Sequence, residues 1–431
     1  MTKWIVLIAG VIIQTVLGGV YAWSTFVPSL TSNYGLSNGQ CGLIFGAIMS
    51  VFTLTMIPSG ALLKRFGAKL MAIAGTTLFL IGYTLASFSG GNFIILLIGL
   101  GVISGAGLGV AYVVPLTVGM KWFPNNKGLI TGVSVAGFGL GALLVSFLGE
   151  YLLYTAQWDV LSVFRCIGLG LGFVAIFCSF FICEPVSTET ETKAEVKIDI
   201  KPYLKSKTFL LYCLGLFAGA FAALLTISNL KPIALSIGMP ATYAVWLISV
   251  FSFGNAIGRV AWGQIHDKLG SRRTIIMCSS VLIFTLIPYF FHLPASLILL
   301  TTFAFGIGFG SFAVVYASAI VSTYGIELFP KLYPICFLGC GVAALIGPPT
   351  GGFIVDVTGS YSNAIILSMA IVFVSLVIIE LSHYKDKSAR KEKVVKPITK
   401  KCLNSFKKID IDLSATKNSV SEIPQKVRCN L

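Results

Sequence analysis

Apolar runs of bilayer-spanning length follow one another through most of this chain, and they dictate its solvent. They lie near residues 4–27, 41–63, 70–89, 92–119, 127–150, 159–183, 208–230, 241–262, 274–291, 295–322, 334–355 and 361–382. A membrane helix needs about 20 mostly apolar residues. Lipid offers the backbone no hydrogen-bond partner, so such runs form helices whose amides are satisfied internally. Charged residues make up 11% of the 431, less than half the roughly 25% of a soluble domain. They are too few to cover a water-facing surface. The expected fold class is an all-α membrane protein of twelve transmembrane helices. The first run extends from Trp4 to Val27 without a small-residue cleavage site, so it reads as the first helix and not as a secretion signal.

The basic residues orient the bundle. Of 31 lysines and arginines, 28 fall at Lys3, in alternate loops or after the last run. Lys231 alone falls on the opposite side, while Arg165 and Arg259 lie within runs. This is the positive-inside distribution. It places both termini in the cytoplasm, with the cell membrane as the expected location. A net charge of +15 would suit a nucleic-acid partner, but the cations lack the aromatic interleaving of such a surface. The expected partner is the lipid bilayer, with no nucleic acid. The ten cysteines include no CxxC pair and mostly sit inside apolar runs, where they pack as small hydrophobes. No metal or cofactor is expected. HExxH, P-loop and serine–histidine–carboxylate patterns are absent from the sequence, which argues against an enzyme.

An internal repeat organises the chain. Gly60-Ala-Leu-Leu-Lys64-Arg65-Phe-Gly67-Ala-Lys69 returns as Gly263-Gln-Ile-His-Asp267-Lys268-Leu-Gly270-Ser-Arg272-Arg273, displaced by 203 residues. Trp122-Phe123-Pro124 pairs with Leu328-Phe329-Pro330 at 206, and Gly105-Ala-Gly107-Leu-Gly109 pairs with Gly306-Ile-Gly308-Phe-Gly310 at 201. Echoes at nearly one offset predict two six-helix halves in parallel register. The division is 1–183 for the first half, 184–207 for a cytoplasmic linker, 208–382 for the second half and 383–431 for a basic tail. The linker holds five acidic and five basic residues, its lysines mostly four apart, which suits a short surface helix. The tail has 13 basic and five acidic residues and is expected to be disordered.

With these motifs the chain resembles the major facilitator superfamily, whose signature loop has the form GxxxDRxGRR. The resemblance marks Gly263, Asp267, Gly270 and Arg272, and in the other copy Gly60, Arg65 and Gly67, as conformational-switch positions. Lys64 stands where that family usually carries aspartate. Glycines 137, 139 and 141 and the run Gly347-Pro-Pro-Thr-Gly-Gly352 resemble its glycine-rich fifth and eleventh helices. Within it, the chain is similar to the oxalate/formate antiporter and bacterial monocarboxylate transporter group. Gly18-Gly-Val-Tyr21-Ala-Trp23-Ser24, Gly107-Leu-Gly-Val-Ala-Tyr112, Lys121-Trp-Phe-Pro-Asn-Asn-Lys-Gly128 and Gly254-Asn255-Ala-Ile-Gly258-Arg259 carry that likeness. It implies the major facilitator fold, a monomer and alternating access to a midplane site.

A charge within a membrane span costs at least about 2.5–3.5 kcal/mol and marks a functional candidate. Arg259 lies well inside its run with Asn255 one turn earlier on the same face. A guanidinium holds a carboxylate through two parallel hydrogen bonds, and the resemblance implies that role for Arg259, with Asn255 beside it. It also places Tyr21 and Tyr112 at substrate-facing positions, with Tyr316 on helix ten and Phe138 where dicarboxylate carriers can have tyrosine. Cys340 falls near a second membrane lysine of the oxalate exchanger. One central cation matches one carboxylate, so lactate, pyruvate or formate is favoured over oxalate. An oxalate/formate exchanger, a carrier of an unrelated solute and a non-transporting sensor are the alternatives. Asn255 cannot titrate, which favours exchange with a counter-anion or facilitated diffusion, although a proton travelling with substrate stays open. Arg165 is expected to be neutralised by Glu150 or Asp159, or to snorkel. Lys231 serves either as an entrance for anions or as a helix-end anchor.

Overall fold

The computed structural model describes residues 2–124, 127–185, 200–244, 246–325 and 328–382. Among the described residues there is no strand. The first six spanning helices are α1 (Thr2–Thr25), α2 (Asn38–Phe66), α3 (Ala68–Ser87), α4 (Phe93–Trp122), α5 (Ala136–Thr155) and α6 (Val160–Ser179). The seventh, α7, is Lys207–Ser228. Next comes one 50-residue apolar stretch, Ala241–Phe290. Gly270, at φ 75° and ψ 168°, breaks it into two arms, α8 (241–269) and α9 (271–290). The series ends with α10 (Ala295–Tyr324), α11 (Lys331–Thr358) and α12 (Ser362–Ser382). The expected eighth and ninth spans therefore join through a single glycine, because a non-helical φ at one residue suffices to turn the chain.

Helix starts follow from their capping residues. Ser37 caps α2 by accepting from Gln40 N, and Gln40 Oε1 accepts in return from Ser37 N. Asn92, Asp159 and Ser206 likewise offer side-chain oxygens to the first turns of α4, α6 and α7. Each satisfies amides that a helix start otherwise leaves bare. Within the stretch read as linker, Lys201–Leu204 forms one short helix. Residues 186–199 and the tail from 383 lie outside the described residues. The chain divides into two compact units, Met1–Leu376 and Val377–Leu431. Of the second, only the end of α12 is described.

The repeat is reproduced in the packing, position by position. Cβ atoms on Gly105 and Gly109 of α4 would meet the α2 backbone at Ile48, Phe52 and Met56. On Gly306 and Gly310 of α10 they would meet the α8 backbone at Phe251, Asn255 and Arg259, each 203 residues later. Gly107 faces Phe79 of α3, and Gly308 faces Leu282 of α9. Gly67, at φ 80° and ψ 159°, adopts the same turn as Gly270. In lipid, helices associate through close van der Waals contact, which small residues permit.

The two halves touch along α2 and α11 and between α5 and α8. Gly42 and Gly46 of α2 bring its backbone against Pro348 and Ala344 of α11. At the end of the bundle away from the lysine-rich loops, Asp356 of α11 caps the start of α2. Its Oδ1 accepts from Asn38 N and Nδ2, both at 2.9 Å, and its Oδ2 from Gly39 N at 2.8 Å.

Close approach makes a sharp prediction. A Cβ on Gly18 of α1 would overlap the Phe138 carbonyl of α5, whereas one on Gly60 meets nothing within 4 Å. Gly18→Leu should lower the melting temperature of detergent-solubilised protein by several degrees, and Gly60→Ala should leave it unchanged.

Candidate functional site

Arg259 reaches its position because Gly310 lets α10 pass close to α8. A Cβ at 310 would sit 3.0 Å from Arg259 N and 3.0 Å from Asn255 Oδ1. Trp262 fastens the same helix pair by donating its indole N–H to Ile307 O at 3.1 Å. Arg259 is half-buried, Asn255 buried. The Arg259 Nε donates to Asn255 Oδ1 at 3.3 Å. Among the described residues no carboxylate lies within ion-pair distance of Arg259. Its guanidinium has further N–H groups that can donate charge-assisted hydrogen bonds.

Aromatic rings from α1, α2, α4, α5, α8 and α10 cluster together. The Tyr21 ring of α1 meets Phe138 of α5 edge-on at 5.6 Å, Phe309 of α10 at 6.0 Å and Phe251 of α8 at 6.4 Å. Tyr112 of α4 stands edge-on to Phe138 and to Phe52 of α2, at 5.3 Å each. Arg259 interacts electrostatically with Tyr21 and with Tyr333 of α11. Tyr112 and Cys340 also lie near Tyr21. Hence Arg259, Asn255, Tyr21, Tyr112 and Phe138 come together, drawn from both halves.

Tyr316 does not join them. It is fully buried, parallel to Phe312 at 6.3 Å and edge-on to Tyr212 of α7 at 6.4 Å. Its hydroxyl finds no hydrogen-bond partner. Its electrostatic neighbours are Cys278, Cys336 and Tyr212, all in the second half. The sequence reading also passed over Tyr333, whose hydroxyl donates to Ala313 O at 3.1 Å, and the phenylalanines Phe251 and Phe309. It missed Gln14, a fully buried amide on α1. The available signal was spacing: Gln14 precedes Tyr21 by seven residues, two turns along one face.

For two single charges the structure removes one of the alternatives. Arg165 is exposed and meets neither Glu150 nor Asp159. Its guanidinium lies 4.5 Å over the Phe88 ring, with Nε donating to Ser87 Oγ at 3.4 Å, while Asp159 is taken up capping Leu161 N. Lys231, in a short helix after α7 (Leu230–Ser236), is buried and ion-paired with Glu150 of α5, 4.4 Å over the Tyr154 ring. So occupied, it offers no free charge to an incoming anion.

The switch-loop residues occupy the lysine-rich end. Gly67 and Gly270 make the turns there. Arg65 lies over the Phe66 ring, Asp267 is exposed beside His266, and Gly60 and Gly263 have room for a side chain. Arg272 has an interaction of its own there.

The profile of the Major Facilitator Superfamily matches residues 7–332 and 234–411, and the chain belongs to that family. It is similar to an uncharacterised MFS-type transporter, YhjX, of Escherichia coli K12, at 26% identity over 80% of this chain and 86% of the relative. The oxalate:formate antiporter of Oxalobacter formigenes is 24% identical, over 82% of this chain and 85% of its own. Mouse monocarboxylate transporter 2 is 26% identical over 91% and 87%. The fold matches the partially occluded inward-open xylose transporter XylE of E. coli, with a TM-score of 0.67 over 88% of this chain and 99% of that one at 13% identity.

The buried Lys231–Glu150 pair predicts a sign reversal. Removing one partner from a buried pair leaves an unanswered charge and costs roughly 3–5 kcal/mol, whereas replacing both with apolar residues is often neutral. Lys231→Met should therefore melt well below wild type, and Lys231→Met with Glu150→Leu should recover most of the loss in a thermal-shift assay.

Proposed function

We propose that this protein is a secondary transporter of small carboxylate anions, with lactate, pyruvate and formate favoured. The observation that carries the reading is Arg259, a spanning-helix cation next to Asn255 and aromatic rings, with no carboxylate partner among the described residues. A monocarboxylate supplies one charge and a two-oxygen edge, which fits a guanidinium. The rings of Tyr21, Phe138 and Phe309 fit a short apolar tail. Relatives named for oxalate, formate and monocarboxylates support the class. Cys340, near Tyr21, is not a cation, which favours one carboxylate over two.

The mechanism is alternating access between halves of residues 1–183 and 208–382, joined by 184–207 and followed by the tail 383–431. The positive-inside pattern sets the lysine-rich end and both termini in the cytoplasm, in the cell membrane, and the carrier works as a monomer. The Asp356 cap and the Lys231–Glu150 pair then close the outer end, so the arrangement is inward-facing. Substrate neutralises Arg259 and permits closure over the site. The loops carrying Gly60, Arg65, Gly67, Gly263, Asp267, Gly270 and Arg272 form and break contacts at the inner end. Asn255 holds no proton, so exchange with a counter-anion or facilitated diffusion is favoured over proton symport.

Reconstituted protein should take up labelled lactate, pyruvate or formate saturably. Arg259→Ala should abolish that uptake, and Arg259→Lys should lose most of it because a point charge lacks the fork geometry. Full uptake by Arg259→Ala would remove Arg259 from the site. Uptake of oxalate in place of monocarboxylates would move the protein to the exchanger reading. Comparing uptake with and without an inward proton gradient fixes the coupling.

A further inference from the structure

Gln14 sits in the middle of α1 with no exposed surface. Its Nε2 donates to Tyr112 O of α4 at 3.0 Å, and its Oε1 has no hydrogen-bond partner. A side chain present only to fill space would not bring an unpaired amide oxygen into the bundle, since leaving a buried acceptor unmet is costly. Methionine has nearly the same shape without that cost. The amide's useful half is therefore its N–H.

The place where that N–H lands is informative. Tyr112 precedes Pro115 by three residues in α4, and a proline inside a helix removes an amide and strains the turn before it. In membranes such turns are steadied by groups from neighbouring helices. One turn before Gln14, Gly10 of α1 leaves room for Pro115 itself, whose Cβ would lie 3.0 Å from an added Cβ. One turn after it, Gly18 abuts the Phe138 backbone of α5. Gln14 thus joins the segment that carries Tyr21 to the weakened turn that carries Tyr112.

We propose that Gln14 is a positioning residue for the substrate site. By holding Tyr112 O across the helix interface, it fixes the distance between the Tyr112 ring and the rings of Phe138 and Phe52. It acts on the binding of the carboxylate and not on the rate at which the halves exchange. This inference rests on the carboxylate-transport reading for its kinetic consequence, but its structural content does not depend on the substrate.

The test uses full-length protein in proteoliposomes with labelled lactate. Gln14→Met keeps the volume and loses the donor, and should raise the half-saturating concentration about tenfold with the maximal rate largely kept. Gln14→Glu distinguishes a donor from mere packing. A protonated carboxyl donates to Tyr112 O, whereas a carboxylate cannot. Relative to wild type at each pH, Gln14→Glu should bind well at acid pH and lose affinity as pH rises, while Gln14→Met stays impaired throughout. In a Tyr112→Ala background, Gln14→Met should add nothing further. Wild-type affinity in Gln14→Met, an unchanging ratio for Gln14→Glu, or an additive loss with Tyr112→Ala would each overturn the proposal. Should wild type transport no carboxylate, the transport reading fails but this one is still tested. The alkylation rate of Tyr112→Cys, in a background with native cysteines replaced by serine, should change on adding Gln14→Met, and an unchanged rate would refute the positioning role.

Discussion

A guanidinium inside an apolar bundle has to be received by polar groups or water, and the construction around Arg259 follows from that need. Charges at membrane depth persist where protein groups or a water-filled cavity receive them. Here the protein supplies one amide oxygen, that of Asn255 at 3.3 Å. Gly310 is small because Asn255 and Arg259 lie against it, and α8 and α10 lie close because Gly306 and Gly310 are small. The polar site and this close helix contact of the second half are therefore one arrangement.

The fold was legible because lipid enforces simple rules. Apolar length, alternation of basic loops and three sequence echoes sufficed for the helices, and the echoes reappear as matched contacts at Phe52 and Asn255, and at Met56 and Arg259. The joining of α8 to α9 was not legible, since it turns on one backbone angle at Gly270. Nor were the partners of single charges. Arg165 turned to Phe88, and Lys231 to Glu150, because a side chain's reach across helix neighbours is a three-dimensional matter. Arg259 stood out in the sequence by its cost, and Asn255 by its spacing from it. Tyr316 resembled the other midspan tyrosines, yet helix rotation aims it into the second half's interior. Gln14 and Tyr333 gave weak signals, being ordinary residues whose importance lies in what they face.

The contact between the first and second sets of six spans rests on small residues and one polar cap. α2 and α11 meet closely at Gly42, Gly46, Pro348 and Gly352, and Asp356 holds the start of α2 through three short hydrogen bonds. The glycines and prolines of these helices permit that close approach.

The repeat itself has an electrical consequence. Arg259 has Met56 as its counterpart, so the duplicated scaffold bears its central charge on one side only. On the carboxylate reading, a loaded site is neutral and an empty site is positive. Moving that positive site between the two aqueous phases works against or with the transmembrane potential, at about 2.3 kcal/mol per elementary charge for each 100 mV. In a facilitated-diffusion cycle, voltage would then act on the return of the empty carrier and spare the loaded passage, so that the resting orientation of the unliganded protein would follow the polarisation of its membrane.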